Sequence, residues 1–175
     1  LNKFIKNIDM ENNFSGTLAL DLGNTNTVIA FQGEKNKDLI LLEIPGITTS
    51  PGVIPTVIWY ENQKTTAKIG QSALKKKNLS ESEIYFHSNF KRLIGNPIEN
   101  QGGKVLSPHE SGEKFFEILW ENIPEELDIK RLVLTAPIET YKGYRKWLIK
   151  LCENLPIKEI ALVDEPTAAG IGLNI

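Results

Sequence analysis

The chain has 175 residues, 41% of them hydrophobic and 24% charged, with a formal net charge of −2. That length suggests one domain or two small lobes sharing a core, and the composition is that of an ordinary folded globular chain. Interspersed charges near neutrality exclude a global pull toward nucleic acid or an anionic membrane, and no apolar run approaches the roughly 18 residues a membrane span needs.

A single cysteine, Cys152, excludes an intramolecular disulfide framework and a Cys-rich metal site. The opening "LNKFIKNIDMENNFSG" has no apolar stretch followed by a small-residue cleavage site, so no secretory signal is expected. Residues 1–15 read as a polar tail, and these features together favour the cytoplasm.

In chain order, residues 17–31 read as two strands joined at "GNTN". "DLILLEI" (38–44) is a third strand, and "PGITTSPGVIP" (45–55), with three prolines and two glycines, is a loop. Residues 56–70 give a strand, a turn and a short strand, and "QSALKKKN" (71–78) a brief basic helix. "SESEIYFHSNFKRLIGN" (80–96) looks helical at its start, with Ser80 as N-cap and Glu83 three residues on. A helix at about 109–122 places Phe115, Phe116, Leu119 and Trp120 on one face, and Pro124 ends it. "RLVLTAP" (131–137) is a buried strand. Residues 140–154 form an amphipathic helix with Tyr144, Trp147, Leu148 and Leu151 on one side. "EIALVDEP" (159–166) is another buried strand, and "TAAGIGLNI" begins a helix of small residues. The order predicts an α/β fold with a mixed sheet flanked by helices.

Three stretches could carry chemistry. In "ALDLGNTNTVIAF" (19–31), Asp21 stands in an otherwise apolar run and a polar turn follows. Backbone N–H groups of Gly23, Asn24, Thr25 and Asn26 could face an anion, and Asp21 could hold a hydrated divalent cation. An ordinary hairpin also favours Gly and Asn. In "LVDEPTAAG" (162–170), a buried strand ends in Asp164 and Glu165, at the usual ligand crevice of α/β sheets. Simple capping of a helix N-terminus is the alternative. In "FKRLIG" (90–95), Lys91 could reach a phosphate oxygen or orient a water, or Lys91 and Arg92 could be a solvated pair. His87, His109 and Cys152 read as surface or structural residues. No P-loop and no G-x-G-x-x-G is present.

"LDLGNTNTVIAF", "IPTVIWY", "KRLIG", "LVLTAP" and "DEPTAAGIG" occur in an order that resembles the nucleotide-binding domain of the 70-kDa heat-shock chaperones (DnaK-like), in the actin-like ATPase superfamily. The likeness runs from residue 17 to 175, over the first lobe of that domain. It implies a ribonuclease H-like, actin-like ATPase lobe: a core of 16–55 and 107–175, with a small, abbreviated outer α+β subdomain at 56–106 inserted in it. It implies ATP or ADP with Mg²⁺ as ligands and an ATPase that drives protein folding in the stress response. Unfolded client polypeptides, a J-domain co-chaperone and a nucleotide exchange factor are the partners it implies.

Residue by residue, the resemblance gives Asp21 and Glu165 to the metal's water shell and Gly23, Asn24, Thr25 and Asn26 to the loop around the outer phosphates. Lys91 matches the lysine that positions the attacking water. Pro137 and Arg145 match a pair that couples nucleotide state to the peptide-binding domain. Asn24 stands where the family usually has threonine, and the stretch between Gly95 and Pro108 is shorter than the family's. The second lobe and peptide-binding domain would follow Ile175, so the 175 residues are expected to be a fragment that alone binds ATP weakly or not at all. Bacterial actin-like filament proteins share the hairpin and a similar E-P-x-A-A motif, and are the alternative; a lobe that no longer hydrolyses is another.

Overall fold

The computed structural model describes residues 14–35, 39–60, 66–79, 85–95, 106–137 and 142–172. Its larger sheet is built on β1 (Ser15–Leu22) and β2 (Asn26–Gly33), an antiparallel pair. Strand alternation explains the face each residue takes. In β1, Leu18, Leu20 and Leu22 are buried, while Thr17, Ala19 and Asp21 share the other, half-buried face. Asp21 therefore does not interrupt the apolar run; it belongs to a different face of the strand.

Beyond β2 lies β3 (Leu39–Leu41), and β4 (Val53–Pro55) pairs with the start of β2. On the other side of β1, β8 (Asp128–Ala136) and β9 (Glu159–Asp164) add in parallel, giving the order β3-β2-β1-β8-β9. The fold is thus mixed α/β with a mixed sheet flanked by helices. A second sheet has β5 (Val57–Tyr60) between β6 (Ala67–Ile69) and β7 (Phe86–Ser88). Helix α1 (Gly70–Lys77) packs against β4, β5 and β6.

One local expectation changes. Val53–Pro55, expected in a loop, is a strand, because Asn26, Thr27 and Val28 pair with it, with Pro55 at its end where a missing N–H costs least. The helix start expected at Ser80 and Glu83 lies outside the described residues; farther along the same segment the chain forms a strand at Phe86–Ser88, paired with β5, and then a 3₁₀ turn at Phe90–Leu93.

The main core joins Leu18, Leu20, Leu132 and Leu134 of the sheet to Phe115, Phe116 and Leu119 of α2 (Pro108–Glu121), and to Trp147 and Leu148 of α3 (Lys142–Cys152). Each fully buried leucine contributes roughly 1.5–3 kcal/mol. Ile58, Ile69, Phe90 and Ile94 join the same cluster, so the second sheet and the 3₁₀ turn are packed onto the core. Val57, Trp59, Ala73 and Phe86 form a smaller cluster. His87 is buried, with Nδ1 3.2 Å from Ser111 Oγ. Cys152 is buried too, which pushes its thiol up to about 11 and leaves it inert at neutral pH.

Helix α2 begins with a capping box: Glu110 N donates to Ser107 Oγ at 3.2 Å, and Ser107 N donates to Glu110 Oε2 at 2.7 Å. The Ser107 N–H, and after it the Ser107 hydroxyl, hold the Glu110 carboxyl below its ordinary value of 4.5. A depressed folded value contributes stability above the unfolded value that is lost as pH falls through the folded one. Ser107→Ala is expected to destabilise the fold by about 1 kcal/mol. It should weaken this part of the acid dependence only in part, because the backbone N–H of residue 107, the larger cause, is kept; urea unfolding at neutral and acid pH measures it.

No helix among the described residues is long and apolar enough to cross a membrane.

Candidate functional site

Three segments meet where β1 and β9 end. Helix α4 (Glu165–Gly172) starts directly after β9 and contacts β8 and β9. Strands β1, β8 and β9 run parallel, so their carboxyl ends share one edge, and ligand crevices of α/β sheets form at that edge. An open cleft of about 450 Å³ lies there, lined by Asp21, Gly23, Asn24, Lys91, Tyr144 and Glu165, together with Arg92 and Pro137.

The turn after β1 is tight. Gly23 N donates to Asp21 O at 3.0 Å, and a Cβ on Gly23 would lie 2.1 Å from the Asn26 carbonyl oxygen. Only glycine fits at that closure. The next residue, Asn24, is held by its amide: Nδ2 donates to Asn89 Oδ1 at 2.8 Å. Asn89 has φ +57°, in the left-handed region that asparagine tolerates better than most residues. Asn24 Oδ1 is buried without a partner among the described residues.

Asp21 is oriented by β8. Register places Leu20 beside Leu134, so Thr135 stands next to Asp21, and its hydroxyl donates a short hydrogen bond to Asp21 Oδ1. A hydroxyl bonded to one oxygen leaves the carboxylate with further acceptor capacity.

Lys91 projects from the 3₁₀ turn, and Nζ lies 2.7 Å from Glu165 Oε1, a residue 74 positions on. The lysine is 14% exposed and the glutamate 41%, so the pair sits at the mouth of the cleft with its cation the better shielded. Lys91 Nζ also lies 5.3 Å from the centre of the Tyr144 ring. Burial of Tyr144, with the nearby Glu165 and Asp21 carboxylates, pushes its hydroxyl well above the ordinary phenol range.

The adjacent acids Asp164 and Glu165 take different partners. Asp164, the last residue of β9, accepts from Arg145 Nη1 at 2.9 Å, while Glu165 opens α4 and turns to Lys91. Arg145–Asp164 is substantially exposed and worth about 0–1 kcal/mol as an ion pair, so its value is geometric: it ties α3 to the end of β9.

Of the residues singled out from the sequence, Asp21, Gly23, Asn24, Lys91, Pro137 and Glu165 line one cleft. Thr25 and Asn26 are exposed and outside that lining; Thr25 O accepts from Thr56 N at 2.8 Å, and Asn26 begins β2 beside Pro55. Arg145 is also outside the lining. Thr135, Asn89 and Tyr144 join the site without having been singled out for it. Thr135 needed the parallel register, Asn89 a turn with no sequence signature, and Tyr144 looked like one more apolar position on an amphipathic helix.

Among the described residues no three His, Cys, Asp or Glu side chains converge as a metal cage. Two carboxylates and an orphaned amide oxygen instead suit Mg²⁺, which keeps several of its waters and accepts such ligands through them. Lys91, and the turn with its close backbone approach, suit a phosphate. No model of a protein family matches this chain, and no curated protein matches it.

Proposed function

We propose that the chain is the first lobe of an ATP-binding and hydrolysing domain of the 70-kDa heat-shock chaperone type, cytoplasmic and working in cycles of client binding and release. The observation that carries the reading is the meeting of Asp21, Asn24, Lys91 and Glu165, from three separate segments, around one cleft at the carboxyl ends of parallel strands. The mixed sheet is compatible with the ribonuclease H-like, actin-like lobe implied by the motifs, and the second, three-stranded sheet with its small outer subdomain.

In this reading Asp21 and Glu165 hold Mg²⁺ through its waters, and the ion neutralises phosphate charge. The turn at Gly23 and Asn24 lies against the outer phosphates. Lys91 leaves Glu165 for the terminal phosphate and steadies the water in line with it. Phosphoryl transfer asks for such electrostatic clamping more than for a covalent nucleophile. Arg145, tied to the end of the Glu165 strand and close in sequence to Pro137, is the route by which phosphate contacts reach a client-binding domain, with a J-domain co-chaperone and an exchange factor acting on the cycle.

The test is calorimetric titration with ATP and Mg²⁺ of a polypeptide that joins this lobe to the lobe facing it. Micromolar, Mg²⁺-dependent binding and peptide-dependent hydrolysis are expected, with weak or no binding by the 175 residues alone. Absence of ATP binding by the joined lobes would refute the reading. Nucleotide-dependent pelleting without peptide-dependent turnover would move it to the actin-like filament proteins.

A further inference from the structure

Tyr144 is 2% exposed, yet it contributes to the cleft lining beside Asp21, Lys91 and Glu165. Its hydroxyl is buried and has no hydrogen-bond partner among the described residues, which is uncommon for a buried phenol. Packing does not ask for that hydroxyl. The ring packs against Trp147 with centroids 5.4 Å apart, and a phenylalanine would fill the same space. Directly over the ring lies the Lys91 ammonium, 5.3 Å from its centre and within cation–π range. Lys91 is thus held between an aromatic face and the Glu165 carboxylate at 2.7 Å.

A phosphate carries more charge and more acceptor oxygens than one carboxylate, so it draws the ammonium from Glu165 when it enters. Movement of Lys91 toward the phosphate opens the side of the ring that the lysine covers. The phenol keeps its proton through neutral pH, because burial and the neighbouring carboxylates oppose its ionisation, so it remains a donor.

We propose that Tyr144 is a phosphate-binding residue of this cleft: its O–H donates to the same terminal phosphate that takes Lys91 from Glu165. The proposal rests on the ATP reading above and adds a ligand contact to it. It also gives a reason for a polar atom in an otherwise apolar position of α3.

The test compares Tyr144→Phe with wild type in the polypeptide joining both lobes, using ATP and ADP as probes. Tyr144→Phe keeps the ring and its hold on Lys91 but removes the donor. ATP affinity should fall about 10-fold or more, the usual scale for a hydrogen bond to a charged group, with ADP affinity unchanged. The melting temperature without nucleotide should stay the same or rise, since a buried unpaired hydroxyl is removed. Tyr144→Leu should show the same loss of ATP preference, since it too lacks the donor. An ATP-to-ADP affinity ratio equal to wild type in Tyr144→Phe overturns the proposal. A lowered melting temperature does so too, since it marks the hydroxyl as structural. If wild type binds neither nucleotide, the ATP reading itself fails and this contact falls with it.

Discussion

On the proposed function, Lys91→Ala is expected to lower ATP turnover by about 10²–10³-fold in the polypeptide used to test that proposal, while ATP still binds. The charge that develops on a transferring phosphoryl group is met in a partly shielded site, where one well-placed cation counts for more than it would in water. Lys91 is such a cation: 14% exposed, carried on a short turn packed into the core through Phe90 and Ile94, and held toward the cleft by Glu165 and the Tyr144 ring. Binding should survive because the Gly23 turn and the two carboxylates remain. Lys91→Arg should not rescue turnover fully, since a planar fork of five donors does not place its charge where a compact ammonium on a flexible stem does. Stability should change little, as Glu165 is half open to solvent and can be hydrated when its partner is gone. Single-turnover hydrolysis alongside nucleotide titration separates the two effects; unchanged turnover would remove Lys91 from the chemistry.

Gly143→Ala should destabilise the fold by about 2–4 kcal/mol, although alanine is the better helix former. Gly143 is in the first turn of α3, and its Cα faces the backbone of Gly95. A Cβ there would lie 2.4 Å from Gly95 O and 2.5 Å from Gly95 Cα. The reverse substitution at Gly95 would put a Cβ 2.5 Å from Gly143 C and from Tyr144 N, at a φ of +84° that alanine resists. The atoms that each Cβ would meet are backbone rather than the far end of a flexible side chain, so neither can yield cheaply. The sign of the effect is diagnostic. Without this crossing, Gly143→Ala would stabilise the helix by roughly 1 kcal/mol. Urea unfolding with an unchanged m-value measures the difference, and a stabilised variant would show that the two segments do not touch in solution. The same crossing seats the turn carrying Lys91 against the helix carrying Tyr144, so loss of stability and loss of turnover should appear together in Gly143→Ala.

Local pattern carried much of the architecture. The hairpin of β1 and β2, helix α2, strand β8 and helix α3 follow from alternation, helical spacing and their stop signals, because each buries a face that its own periodicity defines; β9 is a strand as expected but not a buried one, since it ends the strand order and its residues are half-buried or exposed. Where pattern misled, long-range pairing had intervened: Val53–Pro55 contains a proline and follows a Gly-Pro-rich stretch, and it is a strand because β2 offers it a partner.

The site divides in the same way. Asp21, Gly23, Asn24, Lys91, Pro137 and Glu165 were chosen from residue type and local context: acids at strand ends, a small polar turn, a basic residue in an apolar frame. That they line one cleft was decided by the sheet, since the parallel register of β1, β8 and β9 brings their ends to one edge. The adjacent acids Asp164 and Glu165 look equivalent in sequence. The change from strand to helix between them sends one to Arg145 and the other to Lys91.

The amino-acid sequence by itself determined which segments are apolar on which side, where acids and small polar residues interrupt them, and so the α/β class; these are properties of neighbours along the chain, set by side-chain period and turn chemistry. Only the tertiary structure decided that Thr135 orients Asp21, that Asn89 holds Asn24, that Gly95 crosses Gly143, and that Lys91 lies between Tyr144 and Glu165. Each of those contacts joins residues far apart in the chain, and its distance is fixed by register and packing, which no local pattern encodes.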